Sequence, residues 1–381
     1  MYCFADKSKG RTCLKPPFRA DHVGSLLRPK ELLRARADRQ ANKITTAELK
    51  SIEDAAIRDI IRMQEDVGLR SVTDGEFRRL DWLMDFKYQL EGVTKHDEQI
   101  VKVPFATDKG AIDWTFVPYT VSGKIKLNHV IYGDGFAFLK SATRQTAKLT
   151  IPSPSMMHYP GGRGLDRKVY PDLEQFFADV AAAYRTEIAG LAKLGCTYLQ
   201  LDDTSLAFLN NPERRKAVGP EGQTQHLRYI QLINDSLTGK PADLAVTVHL
   251  CRGNFRSAWI PGTDASYDYV AEALFGSLNV DGYFLEYDDA RSGSFAPLRF
   301  VPKGKRVVLG LVTTKRPELE SKDELKRRID EASKYLSLDQ LCLSPQCGFS
   351  STQEGNELTA EQQKAKLRLV VETAQDVWGT A

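Results

Sequence analysis

The sequence predicts an α/β protein, a (β/α)8 TIM barrel with an antiparallel β insertion after its second strand. Three observations predict it. Eight short apolar strands are separated by helical segments, the alternation that builds a parallel sheet or barrel. No G-x-G-x-x-G follows the first strand and no G-x-x-x-x-G-K-[ST] occurs, so dinucleotide and P-loop sheets lose their main support. The chain has 381 residues, 42% apolar and 27% charged. That suits one large core, and barrels commonly exceed the usual domain length.

The elements follow in order. Residues 1–17 are polar and basic and read as a loose arm, leaving 18–381 as one barrel domain. Phe18–His22 is the first strand and leads into Gly24-Ser25. Pro29 opens a helix at its favoured first position. Thr46–Val67 carries Leu49, Ile52, Ala56, Ile57, Ile60 and Ile61 at helical spacing. Gly68 closes that helix, and Ser71–Thr73 is the second strand, ending in a turn at Asp74-Gly75. From Glu91 the pattern changes to alternation (Val101, Val103, Phe105; Trp114, Phe116), which predicts an antiparallel insertion over about 91–147. Strands then fall at Lys148–Ile151, Thr197–Asp202, Ala245–Leu250, Tyr283–Glu286, Arg306–Leu311 and Leu341–Leu343. Helices are expected over Asp172–Leu194, Glu221–Leu237, Ala265–Phe275, Lys322–Leu336 and Thr359–Val377.

Composition narrows the function. Lys plus Arg is 53 against 50 for Asp plus Glu, a net charge of +3. That balance gives no basic excess for nucleic acid. No run of 18 apolar residues exists to span a membrane, and the N-terminal MYCFADKSKGRTCLK lacks the apolar stretch of a secretory signal. Six cysteines are too sparse for a disulfide scaffold and read as cytosolic thiols. Cytoplasm is the expected compartment, and small molecules are the expected partners. The sequence specifies no oligomeric state.

Barrel chemistry sits at the C-terminal ends of the strands. There the sequence places Asp21-His22, Asp74-Gly75-Glu76, Asp202-Asp203, His249 with Cys251, Glu286, and Cys347. His249 and Cys251 are two apart on a strand, so both point to one face and suit one metal ion. Imidazole plus thiolate favours zinc, with Cys347 and Glu286 as partners from matching strand ends; an exchangeable position would make the site catalytic. A buried cysteine beside a hydrogen-bonded histidine is the bland alternative. Glu76 and Asp202, carboxylates deep in the fold, need a cation, and a substrate ammonium group would serve. Helix capping is their alternative, and for Asp203 it is an equal one. His22 reads as either a general acid or a structural donor. Cys3, Cys13, Cys196 and Cys342 read as inert.

These residues resemble the cobalamin-independent methionine synthase family. H-L-C at 249–251, L-E-Y at 285–287 and S-P-Q-C-G-F at 344–349 are similar to its zinc motifs, and H-V-G-S at 22–25, T-D-G-E-F at 73–77 and L-Q-L-D-D at 199–203 extend the likeness. It covers the chain from about Pro17 onward and is closest to stand-alone catalytic barrels of the uroporphyrinogen decarboxylase superfold. The resemblance implies zinc held by His249, Cys251, Glu286 and Cys347, with the thiol of homocysteine as methyl acceptor. It implies that Glu76 and Asp202 take the amino group and that backbone at Val23, Gly24 and Ser25 takes the carboxylate.

The side that would bind a methyltetrahydrofolate donor departs from the family. The pterin-stacking tryptophan falls at His158 and a folate-contacting glutamate at Phe208. The inserted arginine aligns with Ser122-Gly123-Lys124, and the Asp-x-His proton-donor segment is replaced by Leu311-Val312-Thr313-Thr314-Lys315. The expected function is therefore zinc-dependent methylation of a thiol, from a donor other than the folate polyglutamate. The alternatives are alkyl transfer to another small thiol, as in epoxide opening, and a metal-free decarboxylase.

Overall fold

A computed structural model describes residues 15–108, 110–263 and 265–381. The expected arm falls mostly outside those residues, as do Cys3 and Cys13. Seven parallel strands form one sheet in the order β1 (Ser71–Val72), β6 (Thr146–Pro152), β7 (Tyr198–Asp203), β8 (Ala245–Leu250), β9 (Gly282–Glu286), β10 (Arg306–Val312) and β11 (Leu341–Pro345). The expected first strand, Phe18–His22, is reduced to a single bridge in which Ala20 pairs with Leu343. The segment stays extended because Asp21 N–H donates to Leu343 O and Leu343 N–H donates to Arg19 O.

The helices fall close to their expected places. Thr46–Asp66 starts at a capping box, with the Thr45 side chain and Glu48 satisfying each other's backbone N–H groups. Pro29 stands one residue before the helix Lys30–Gln40 rather than inside it. Leu173–Lys193, Gln225–Ser236, Asp268–Ser277 and Lys322–Ser333 connect strands, while Ala360–Trp378 follows the last one. Between β9 and β10 two short 3-10 turns, Ala290–Ser292 and Ala296–Phe300, replace a helix.

The central strands are buried on both faces, one apolar and one polar. Leu149, Ile151, Leu199, Leu201, Val246, Val248 and Leu285 face the helices and join the main core. The alternate residues Lys148, Thr150, Tyr198, Gln200, Asp202, Thr247, His249 and Glu286 form the other, polar face. Its floor is a fully buried pair: Lys148 Nζ lies 3.2 Å from Asp21 Oδ1, and the Tyr198 hydroxyl donates to Asp21 Oδ2 at 2.8 Å.

The insertion is antiparallel, as the alternation predicts. β2 (Glu91–Lys95) pairs with β5 (Tyr119–Lys126), and β3 (Val101–Thr107) pairs with β4 (Gly110–Phe116) in a hairpin. The hairpin reaches across to the loop after β8, where Ala106 and Trp259 exchange backbone hydrogen bonds of 2.7 and 3.0 Å. No helix among the described residues is long and apolar enough to cross a membrane.

Candidate active site

Strand register brings the polar strand ends together. Asp202 pairs with His249 across β7 and β8, and β9 carries Glu286 alongside. His249, Cys251, Glu286 and Cys347 are all buried, and one ligand atom from each lies within 4.8 Å of all the others. Cys251 Sγ and Cys347 Sγ are 3.5 Å apart. Both ring nitrogens of His249 and Oε1 of Glu286 are buried without a hydrogen-bond partner. Leaving such groups unpaired costs about 1–3 kcal/mol each, so the cluster is built for an occupant. Four ligands held 2.0–2.3 Å from a common centre stand about 3.3–3.8 Å apart, and the thiol pair already fits that spacing.

The electrostatics agree. The Cys347 thiol is held well below the usual thiol range, first by the Cys251 side-chain hydrogen bond, then by His249 and Lys315 against burial. Its partner Cys251 is pushed up, first by the Cys347 side-chain hydrogen bond and then by burial. Burial pushes the Glu286 carboxyl up to about 7, against the pull of Lys315. Lys315 was not singled out from sequence, yet its buried ammonium stands 3.6 Å from Asp288 behind the cluster.

Glu76 and Asp202 share the wall of one cavity of about 540 Å³ with His249, Cys251 and Cys347. Glu76 Oε1 accepts from the Thr150 hydroxyl at 2.6 Å, while Oε2 is buried and unpartnered. Its backbone has φ +61°, a left-handed conformation uncommon for a non-glycine residue. Asp202 Oδ1 accepts from Gln200 Nε2 at 2.7 Å, and burial pushes its carboxyl up to about 7 against the pull of His249. Asp203 is a cap, accepting from Leu206 N–H and the Ser205 hydroxyl.

Val23 and Ser25 also line the cavity. Gly24 between them has φ +141°, and a Cβ there would stand 2.6 Å from Thr150 Cγ2. His22 is apart. It has the opposite strand parity to Asp21 and Val23, and neither ring nitrogen has a hydrogen-bond partner. Burial, then Lys148, pushes it down to about 4.

Much of the remaining wall is aromatic, with Lys87, Arg163 and Arg214 also lining it, and sequence reading missed the source of the aromatic residues. Trp114 and Phe116 of the hairpin stack with centroids 4.7 Å apart and line the cavity with Trp82, Tyr119, Tyr159 and Phe208. The alternation in β3 and β4 carried that signal, since Val101, Val103, Phe105, Trp114 and Phe116 share one face. His158 also lines the cavity, but Nδ1 bonds the Tyr229 hydroxyl at 3.0 Å and its ring packs on Phe177. Thr314 is engaged by Gln346 and Gly348, and its hydroxyl lies 2.9 Å from Gln346 Oε1.

Comparison with known proteins places this arrangement. The family model for the cobalamin-independent synthase catalytic domain matches residues 18–112 and 137–376. An uncharacterised protein of Bacillus subtilis (strain 168), YxjH, is 45% identical over 96% of both chains. A methionine synthase of Pyrococcus abyssi is 25% identical over 86% of this chain and 85% of its own. A crystal structure from Listeria monocytogenes, provisionally described as a vitamin-B12 independent methionine synthase, is 38% identical with a TM-score of 0.77, covering 96% of this chain and all of its own. A B12-independent methionine synthase from Shewanella sp. W3-18-1, in complex with selenomethionine, shares the fold at 21% identity and a TM-score of 0.71, covering 94% and 97% of the two chains.

Proposed function

The chain belongs to the cobalamin-independent methionine synthase family, and on that premise we propose that it is a zinc-dependent methyltransferase converting homocysteine to methionine. One juxtaposition carries the reading: a buried soft donor set and two buried carboxylates share the wall of one cavity. His249, Cys251, Glu286 and Cys347 would hold the zinc, which mixed imidazole, thiolate and carboxylate ligation favours. The chemistry that zinc supplies in such a site is acidification of a thiol, so that a thiolate exists at neutral pH.

The protein's own residues do the positioning. Glu76 Oε2 and Asp202 receive the substrate ammonium, and the tight turn at Val23, Gly24 and Ser25 lets backbone approach the carboxylate. The aromatic hairpin excludes water from the reacting thiol. His22 takes the structural of its two readings, because burial keeps it neutral and it lies off the cavity wall. The same reading takes 18–381 as one (β/α)8 barrel with 91–147 inserted, the extended 18–22 segment completing the ring. The free, buried thiols of Cys196, Cys251, Cys342 and Cys347 support a reducing compartment such as the cytoplasm.

The donor in this reading is not the folate polyglutamate. His158 is committed to Tyr229, Phe208 offers no acceptor, and the segment Leu311–Lys315 carries no histidine to protonate the pterin. A pre-activated methyl group removes the need for one. The test is metal analysis followed by a donor screen with homocysteine: methyltetrahydrofolates of different glutamate length, methylcobalamin and S-methylmethionine. Zinc near one per chain with methionine formed from a pre-activated donor is the expected result. A metal-free protein, or one that forms no methionine from any of these donors, would overturn the assignment.

A further inference from the structure

Arg28 is more than nine-tenths buried and joins two loops that carry different halves of the proposed thiol site. Its Nη2 donates to Glu76 O at 2.9 Å and to Arg79 O at 3.0 Å, in the turn after β1. Its Nη1 reaches Ser350 O at 3.0 Å, Ser350 Oγ at 2.6 Å and Thr352 O at 2.9 Å, in the loop that follows Cys347. Between the two loops runs Arg28's own segment, tied to each: Leu26 N–H donates to Gly75 O, and Phe349 N–H donates to Ser25 O. Backbone pairs such as Trp82 N–H to Ser351 O join the loops farther along. Arg28 instead grips the carbonyl of Glu76 itself, the residue held left-handed. Burial, then Arg36, pushes the guanidinium down to about 10, so it stays charged at neutral pH.

We propose that Arg28 is a positioning residue that sets the span between the ammonium anchor at Glu76 and the thiol end of the site at Cys347, and thereby the chain length of the amino-acid thiol accepted. The inference rests on the function proposed above. Homocysteine and cysteine differ by one methylene between thiol and ammonium, so a site with a fixed span distinguishes them, and a methylene is typically worth ~10–200-fold in discrimination. The guanidinium suits the task because its planar fork presents donors to both loops at once. A lysine ammonium keeps the charge but has no fork to bridge them.

Arg36 provides the control. It donates to Arg79 O at 2.7 Å and to Phe77 O in the same turn and lies 3.8 Å from Glu53, so it steadies the turn from the far side without reaching the loop at 350–352. The experiment measures dissociation constants of L-homocysteine and L-cysteine for the zinc-loaded protein, with metal content and thermal midpoint, in wild type, Arg28→Lys and Arg36→Lys. The expected result is a homocysteine-to-cysteine preference that collapses by about tenfold or more in Arg28→Lys with zinc content retained. Arg36→Lys should lower the midpoint while keeping the preference. A preference unchanged in Arg28→Lys, or lost equally in both variants, overturns the positioning role alone. If Arg28→Lys does not fold, Ser350→Ala, which removes one acceptor of the grip, should narrow the preference, and an unchanged ratio there overturns the role. A wild type that binds neither thiol overturns the function reading as well.

Discussion

Replacing Glu76 by glutamine should weaken homocysteine binding by about 10- to 150-fold. The magnitude follows from what each carboxylate oxygen does. Oε1 is already used, accepting from the Thr150 hydroxyl at 2.6 Å with the buried Arg79 guanidinium 3.6 Å away, and a glutamine carbonyl can take over the hydrogen bond though not the charge pairing. Oε2 is buried and unpartnered, so it is the oxygen left for the substrate ammonium. Glutamine puts an NH2 group there, which cannot accept a hydrogen bond from an ammonium. A hydrogen bond to a charged group contributes about 1.5–3 kcal/mol, and each ~1.4 kcal/mol is a factor of ten in affinity. The assay is titration calorimetry of the zinc-loaded protein with homocysteine and with 4-mercaptobutanoate, which lacks the amino group. The variant should bind the deaminated thiol about as well as wild type does. An equal loss for both ligands would refute the anchor role, because a general disturbance of the site does not read the amino group.

Three further outcomes are expected. Cys251→Ser and Cys347→Ser should each abolish zinc retention while leaving far-UV circular dichroism nearly unchanged, and full zinc content in both would remove the ligand assignment. The triglutamate form of methyltetrahydrofolate should support little or no turnover, and a rate of about 1 s⁻¹ or faster would place the donor back with folate. His158, pushed down to about 4 by burial and then by Arg167, makes a proton-linked contribution that is full above its unfolded value near 6.5. That contribution is lost as pH falls towards 4, because the unfolded chain takes up a proton that the folded one refuses. Between pH 6.5 and 4.5 wild type should therefore lose roughly 2–3 kcal/mol relative to His158→Gln, read from urea unfolding. Parallel pH dependence in the two proteins would contradict it.

The parallel strands were legible because each carries regularly spaced apolar residues for the core, as Leu199 and Leu201 in Tyr198–Asp203 and Val246 and Val248 in Ala245–Leu250. The candidate ligand cluster was legible because His249 ends β8 and Cys251, two residues on, still donates its N–H to Asp203 O, which keeps both side chains on one face. Phe18–His22 was harder. Its alternate residues include Asp21, which serves the Lys148 and Tyr198 network, and the segment pairs through one bridge rather than a ladder. Arg28, Thr150 and Lys315 gave no local signal at all. Their partners lie on loops and strands far along the chain, and a buried polar side chain satisfied at long range looks, in sequence, like any surface residue.

The two halves of the cavity differ in how they are held. The proposed thiol half stands on strand ends whose heights are set by register, Asp202 level with His249 and Gly310 level with Glu286. Moving one of these side chains requires moving a strand buried on both faces. The other half is carried by a hairpin outside the main sheet. Its ties include the Ala106–Trp259 backbone pair, an apolar contact of Phe105 with Phe255, and an exposed Arg316–Asp108 ion pair at 3.0 Å, and exposed pairs contribute about 0–1 kcal/mol. A rigid half suits the thiol, whose attack geometry must be held to within fractions of an ångström. A loosely tied aromatic half suits the larger partner, which has to enter and leave past it. On the proposed function, Trp114, Phe116 and Trp82 are the lining residues best placed to meet that larger partner.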